Sequence, residues 1–235
     1  MIKAVFFDLD GTLLPFDRKT FEKNYFKVIA CALKDSPNCQ LIVKTVMESV
    51  EAMTRNESNL TNEQVFIDYF TSKVNDKPFN DYEMLFNQMY LNEFTKLKAI
   101  CGFEPKAKQM VDLVKAKGIL TICATNPLFP LICTKQRIEW AGLSMEDFDM
   151  VTTYENSVSA KPNAYYFKWL LNHLNLKPEE VILVGNDAIE DGAALSLGIQ
   201  VVLINRCLEN KEAVTEHMKV DFIDNVITYL ESVLG

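Results

Sequence analysis

The chain has 235 residues, 49% of them hydrophobic, enough to bury one sizeable core or two smaller ones. Its 32 acidic residues outnumber 24 basic ones, and the formal charge of −8 argues against a nucleic-acid or anionic-membrane surface. No stretch approaches 18 uninterrupted apolar residues, so a membrane span is not expected. The first apolar run ends at Asp8 and reads as no signal peptide. The cysteines at 31, 39, 101, 123, 133 and 207 are irregularly spaced and form no C-x-x-C pair, so reduced thiols are expected. The expectation is a soluble cytoplasmic protein, a monomer by default, whose partner is a small molecule.

In chain order, Ala4-Val5-Phe6-Phe7 reads as a strand buried on both faces, as in the centre of a parallel sheet. It runs into Asp8-Leu9-Asp10-Gly11-Thr12. From about 21 to 94 there is no strand signal. Phe21, Tyr25, Val28, Ile29 and Leu33 recur at helical spacing, as do Ile42, Val43, Val46, Met47, Val50 and Met53. Thr61-Asn62-Glu63-Gln64 is a capping signal for a third helix, and Met84, Leu85 and Met89 mark a fourth. From about Ile100 helix and strand alternate. Strands are expected at 119–124, 150–153, 181–184 and 201–204. Helices are expected before Gly118, from Pro127 to about Ala141, from Asn163 to about Leu174, from Ile189 to Leu197 and from about Asn225 to Leu234. Such alternation predicts an α/β fold, a Rossmann-like doubly wound parallel sheet, with an all-α segment inserted after the first strand.

In open sheets of this kind chemistry collects beyond the carboxyl ends of the strands. Asp8 and Asp10 follow the first strand, and a buried carboxylate is costly unless paired, hydrogen-bonded or bound to a metal. Thr125 and Asn126 follow the second, and they also fit a helix cap before Pro127. Lys161-Pro162 lies beyond the third, where a solvated loop lysine is equally natural. Asp187 and Asp191 follow the 181–184 strand and also fit first-turn acids. Each set has a bland reading alone; all of them at one edge of one sheet is harder to explain blandly.

Taken in order, Asp8-Leu9-Asp10-Gly11-Thr12, Thr125, Lys161-Pro162 and Gly185-Asn186-Asp187 with Asp191 resemble the four motifs of the haloacid dehalogenase superfamily. The resemblance covers the whole chain. It implies a catalytic core from 1–17 and 99–235 and a helical C1-type cap from 18–98. It implies that Asp8 is a nucleophile forming an aspartyl-phosphate, with Asp10 as acid and then base. It further implies Mg²⁺ held by Asp8, the Asp10 main-chain carbonyl and Asp187, with Asp191 supporting that shell. Thr125, Asn126 and Lys161 would contact the phosphoryl group, Asn126 from a helix N-terminus. Members that break carbon–halogen bonds lack an acid two positions after the nucleophile, so Asp10 points to phosphoryl transfer.

The expected function is a Mg²⁺-dependent phosphatase acting on a small phosphorylated metabolite. Competing readings are a sugar-phosphate mutase, which would use cap cations to hold a second phosphate, and a phosphonate hydrolase, which would need a cap lysine. From another class, a phospho-aspartate signalling module also pairs acids with a Thr and a Lys. Arg18, Lys44 and Arg55 are expected to be solvated surface charge, and His173 and His217 to lie away from the site.

Overall fold

A computed structural model describes the whole chain, residues 1–235. Its six strands are β1 (Ala4–Phe7), β2 (Leu120–Cys123), β3 (Met150–Val151), β4 (Val181–Gly185), β5 (Gln200–Ile204) and β6 (Met218–Asp221). They form one sheet in the order β3-β2-β1-β4-β5-β6, and every pairing is parallel.

The side-chain period of a strand divides β1 between two cores. Val5 and Phe7 join one cluster with Met110, Val111 and Val114 of α5 (Pro105–Ala116), Cys133 and Ile138 of α6 (Leu131–Trp140), and Val226 and Leu230 of α8 (Ile223–Val233). Ala4 and Phe6 join the other with Tyr166, Phe167 and Leu170 of α7 (Ala164–His173). Both faces of the sheet are therefore covered, which is why its central strands are apolar throughout rather than alternating.

The register brings the functional loops together. Phe7 stands opposite Cys123 on one side and Val184 on the other. The Asp8 N–H continues the ladder to the Val184 carbonyl at 2.9 Å, and the Ala124 N–H reaches the Phe7 carbonyl at 2.7 Å. The residues after β1, β2 and β4 thus emerge side by side at the carboxyl edge. They do so where the strand order turns back on itself, the usual ligand crevice of such sheets.

Four helices lie between β1 and the rest of the sheet: α1 (Arg18–Ala32), α2 (Cys39–Thr54), α3 (Asn62–Lys73) and α4 (Phe79–Asn92). Asp17 caps α1 through the Thr20 N–H, and Thr61 with Gln64 forms the predicted capping box on α3. The insert has its own apolar cluster, built from Ile29, Leu33, Ile42, Phe70, Tyr82, Phe86 and Met89 among others. Buried Asn62 ties it to the sheet side, donating to the Pro127 and Ser159 carbonyls at 3.0 and 2.6 Å.

Four expectations are corrected. The helix expected from Pro127 begins only at Leu131, because Pro130 holds Phe129 out of helical geometry. The segment 189–197 is a turn followed by a short 3₁₀ helix, Gly192–Leu197. Asp187 Oδ1 bends that turn by accepting the N–H groups of Ile189 and Glu190 at 2.8 and 2.9 Å. The edge strand β6 has no counterpart among the expected strands, because Lys219 and Asp221 interrupt its apolar pattern, as suits an edge half open to water. Finally, α8 starts two residues earlier than expected. No helix is long and apolar enough to cross a membrane.

Candidate active site

A cavity of about 130 Å³ opens beyond the carboxyl ends of β1 and β4. Asp8, Asp10, Asn126, Asp187 and Asp191 line its sheet side, and Phe16, just before the insert, and Arg18, Phe21, Glu22 and Tyr25 of α1 line the opposite side. Leu128 and Phe129, carried by the non-helical stretch before α6, and the acids Glu190 and Glu209 also line it.

Asp8 is buried and held at both oxygens. Lys161 Nζ donates to Oδ1 at 2.8 Å, and Thr12 Oγ1 donates to Oδ2 at 2.9 Å. Burial pushes its pKa up to about 7 against the pull of Lys161, with Asp191 and Asp10 adding to the rise. Lys161 is only 2% exposed and bridges Asp8 and Asp191, at 2.8 and 2.7 Å. Burial works against its charge, but Asp191 and Asp8 outweigh burial and hold its pKa well above the ordinary value. A lysine in that setting stays charged.

Asp191 is engaged at both oxygens. Oδ2 accepts the N–H groups of Asn186 and Asp187 at 2.9 and 3.0 Å, and Oδ1 accepts Lys161. It therefore fixes the loop after β4 and the lysine together. The motif glycine follows from this packing, since a Cβ on Gly185 would lie 2.2 Å from Asp191 Oδ2. Gly11 is required twice over, by a φ of +87° and by Asn186 Nδ2, which a Cβ would meet at 2.2 Å.

Asp187 presents one oxygen inward and one outward. Oδ1 accepts the Ile189 and Glu190 N–H groups and Asn210 Nδ2, whereas Oδ2 faces a cation, the Arg18 guanidinium at 3.1 Å. The Asp10 main-chain carbonyl accepts no hydrogen bond. Asp8, Asp187 Oδ2 and that carbonyl form an all-oxygen donor set of the hard kind that suits Mg²⁺. No group of three His, Cys, Asp or Glu side chains is arranged to hold a metal, and the set relies on two carboxylates and a main-chain carbonyl.

Two predicted contacts look different in place. The Thr125 hydroxyl donates to the Thr152 carbonyl at 2.8 Å, back into the sheet. Asn126 is not at a helix N-terminus, since α6 starts five residues later; its Nδ2 donates to Glu190 Oε2 at 3.1 Å and borders the cavity. Lys44 and Arg55 make only surface pairs with Glu48 and Glu51.

Arg18 is not the solvated charge expected of it. It reaches from the first turn of α1 to Asp187, to Glu190 at 2.6 Å and to Glu22 at 2.9 Å. Burial raises the Glu190 pKa, and Arg18 works against that rise. Arg137 of α6 was not singled out at all. It is fully buried, and its Nη1 donates to Asp10 Oδ2. A signal existed in the sequence: Cys133, Arg137, Trp140 and Ala141 recur at spacings of 4, 3 and 1, one helical face that is otherwise apolar.

Comparison with known proteins agrees with the fold. The chain is 26% identical over 228 residues to the glyceraldehyde 3-phosphate phosphatase of Methanothermobacter thermautotrophicus, covering 95% of this chain and 94% of that protein. A phospholysine phosphohistidine inorganic pyrophosphate phosphatase from Danio rerio is 37% identical, but only over 60 residues, 25% of this chain and 22% of that protein. The solved structure of a β-phosphoglucomutase homologue from Thermotoga maritima superposes with a TM-score of 0.59 at 18% identity, covering 99% of this chain and 100% of that one. The family model of haloacid dehalogenase-like hydrolases matches residues 2–197. The chain belongs to the haloacid dehalogenase-like hydrolase family.

Proposed function

We propose that this hydrolase is a Mg²⁺-dependent phosphatase that cleaves a small phosphate monoester through an aspartyl-phosphate on Asp8. The observation that carries the reading is the pairing of two differently held carboxylates in one cavity. Asp8 is clamped by Lys161 and Thr12, while Asp10, two residues on, keeps a separate partner in Arg137. One carboxylate is thus held for attack and a second stands beside it for proton transfer.

Asp8 attacks phosphorus, a new P–O bond forms, and the ester bond to the leaving oxygen breaks. Asp10 gives its proton to that oxygen, so the leaving group departs as an alcohol. Asp10 then takes a proton from water as the water oxygen bonds to phosphorus, releasing inorganic phosphate and regenerating Asp8. Asp8, Asp187 and the Asp10 carbonyl would hold the cation, with Asp191 supporting the loop that carries Asp187. Bound Mg²⁺ supplies positive charge that keeps buried Asp8 ionised and offsets the charge of the phosphoryl group. Asn126 contacts the phosphoryl oxygens in this reading, and Lys161, which does not line the cavity, acts by holding the Asp8 carboxylate and adding its charge beside it. Thr125 contacts the phosphoryl oxygens through its main-chain N–H, which, like those of Leu9, Asp10 and Asn126, has no protein acceptor.

The cavity also bears on the leaving group. Arg18 is its only lining cation and is already paired with Glu22 and Glu190 as well as Asp187. No lysine of the insert lines the cavity. Both facts favour a leaving group without a second phosphate or carboxylate, and disfavour the mutase and phosphonate readings. The M. thermautotrophicus relative is named a glyceraldehyde 3-phosphate phosphatase, and a leaving group of that kind carries no second phosphate or carboxylate. We further propose that residues 18–98 act as a cap that excludes bulk water and contacts the leaving group.

The test is a panel of sugar, triose, glycerol, nucleotide and carboxylated phosphates, assayed with Mg²⁺ and after EDTA. The reading predicts release of inorganic phosphate from monophosphates with uncharged leaving groups, lost with EDTA and restored by Mg²⁺. Metal-independent turnover contradicts the cation assignment, and a requirement for a bisphosphate activator contradicts hydrolysis as the main reaction.

A further inference from the structure

Arg137 is an expensive residue to keep. A fully buried guanidinium loses its hydration, and one ion pair seldom repays that loss unless every donor and acceptor is satisfied. A finished structural pair would close the two-pronged fork that guanidinium and carboxylate geometry allow. Here the fork is half made. Arg137 Nη1 donates to Asp10 Oδ2, and Nη2 donates to Thr134 Oγ1 at 3.2 Å. Arg137 Nε and Asp10 Oδ1 are both buried without a hydrogen-bond partner. The two orphaned atoms belong to the two sides of one ion pair, and one of its partners lines the cavity.

The remaining contact explains how the guanidinium is kept dry. The Phe129 ring covers the guanidinium, with the Arg137 Cζ 4.4 Å from the ring centroid, and Phe129 also lines the cavity. The guanidinium is thus sealed from the side on which a leaving group would sit.

We propose that Arg137 is a positioning residue for Asp10, holding its carboxyl group in the orientation from which it exchanges a proton with the leaving group and then with water. The inference rests on the reading of Asp10 as acid and base given above. It extends that reading to a side chain 127 positions away in the chain.

The experiment compares kcat/KM, which reports steps up to phosphoenzyme formation, for two esters. One is the best alkyl phosphate of the panel, whose alkoxide needs a proton. The other is para-nitrophenyl phosphate, whose phenolate leaves without one. D10N is expected to lower the alkyl value by about 10²-fold or more while lowering the aryl value far less. R137M is expected to reproduce that bias, and R137K to fall between R137M and the wild type. The double variant D10N/R137M is expected to be no worse than D10N, since the two residues act as one unit.

If R137M and R137K lower both esters by the same factor, Arg137 serves only packing and the proposal is overturned. A double variant in which the losses multiply overturns it equally. Where R137M fails to fold, as judged by its thermal melt, the ester ratio of R137K decides alone. If D10N itself leaves the ratio unchanged, the fault lies in the acid–base reading of Asp10 and not in its coupling to Arg137.

Discussion

The sheet edge and the helical insert are held together by different means. At the sheet edge, polar groups from three separate stretches restrain one another: Asp8 with Thr12, Lys161, and Asp191 with the Asn186 N–H. Each has little freedom to move without leaving a buried charge or N–H unmet. The insert is held mostly by ring packing, with Phe70 against Phe66, Phe79, Tyr82 and Phe86. It reaches the cavity through Arg18, Phe21, Glu22 and Tyr25 of one helix, α1. The division suggests where each kind of change acts. Chemistry is fixed by a polar network that tolerates little alteration, and selection rests on one helix face whose support is apolar and more forgiving.

That contrast can be broken from either side. The largest effect is expected at Lys161→Met, which strands the buried carboxylates of Asp8 and Asp191. Stability should fall by about 3–5 kcal/mol, measured by denaturant unfolding, and turnover should be lost as well. A stable and active variant would show that the network is not the organising element. Arg18→Ala should act in between. It removes the insert's only cation at the cavity, so KM is expected to change several-fold, with kcat within about tenfold of the wild type. A loss confined to kcat would move Arg18 from selection into chemistry. Phe70→Ala should be the mildest for catalysis although severe for the insert. A cost of about 3–5 kcal/mol is expected from the cavity it leaves. At temperatures where the variant remains folded, kcat should stay within a few-fold of the wild type. A collapse of kcat in a folded Phe70→Ala protein would mean that the two regions are not separable.

The same division governs what the sequence discloses. Asp8 and Asp10 stand out because β1 is short, wholly apolar and ends in charge, a pattern that local physics makes improbable without a partner. Asp187 and Asp191 follow another apolar strand and are legible for the same reason. Arg137 has its partner 127 positions away, so no local window contains both halves of the pair. Arg18 sits on a helix face whose neighbours in sequence look like ordinary surface, and only the fold brings Asp187 and Glu190 to it. Thr125 was legible as a position but not as an orientation, because the carbonyl that takes its hydroxyl belongs to Thr152, just past β3. Strand β6 was lost to two charged residues at a half-exposed edge, and the start of α6 to a second proline whose effect outweighed the first.

The central claim is that Asp8 becomes covalently phosphorylated. It is tested most directly by quenching the enzyme during turnover, reducing it with borohydride and mapping the modified peptide by mass spectrometry, with Asp8→Asn as the control. The account predicts modification at Asp8 that depends on substrate, and no turnover above about 10⁻⁴ of the wild type in Asp8→Asn. Modification at a different residue, or substantial turnover by Asp8→Asn, would contradict it.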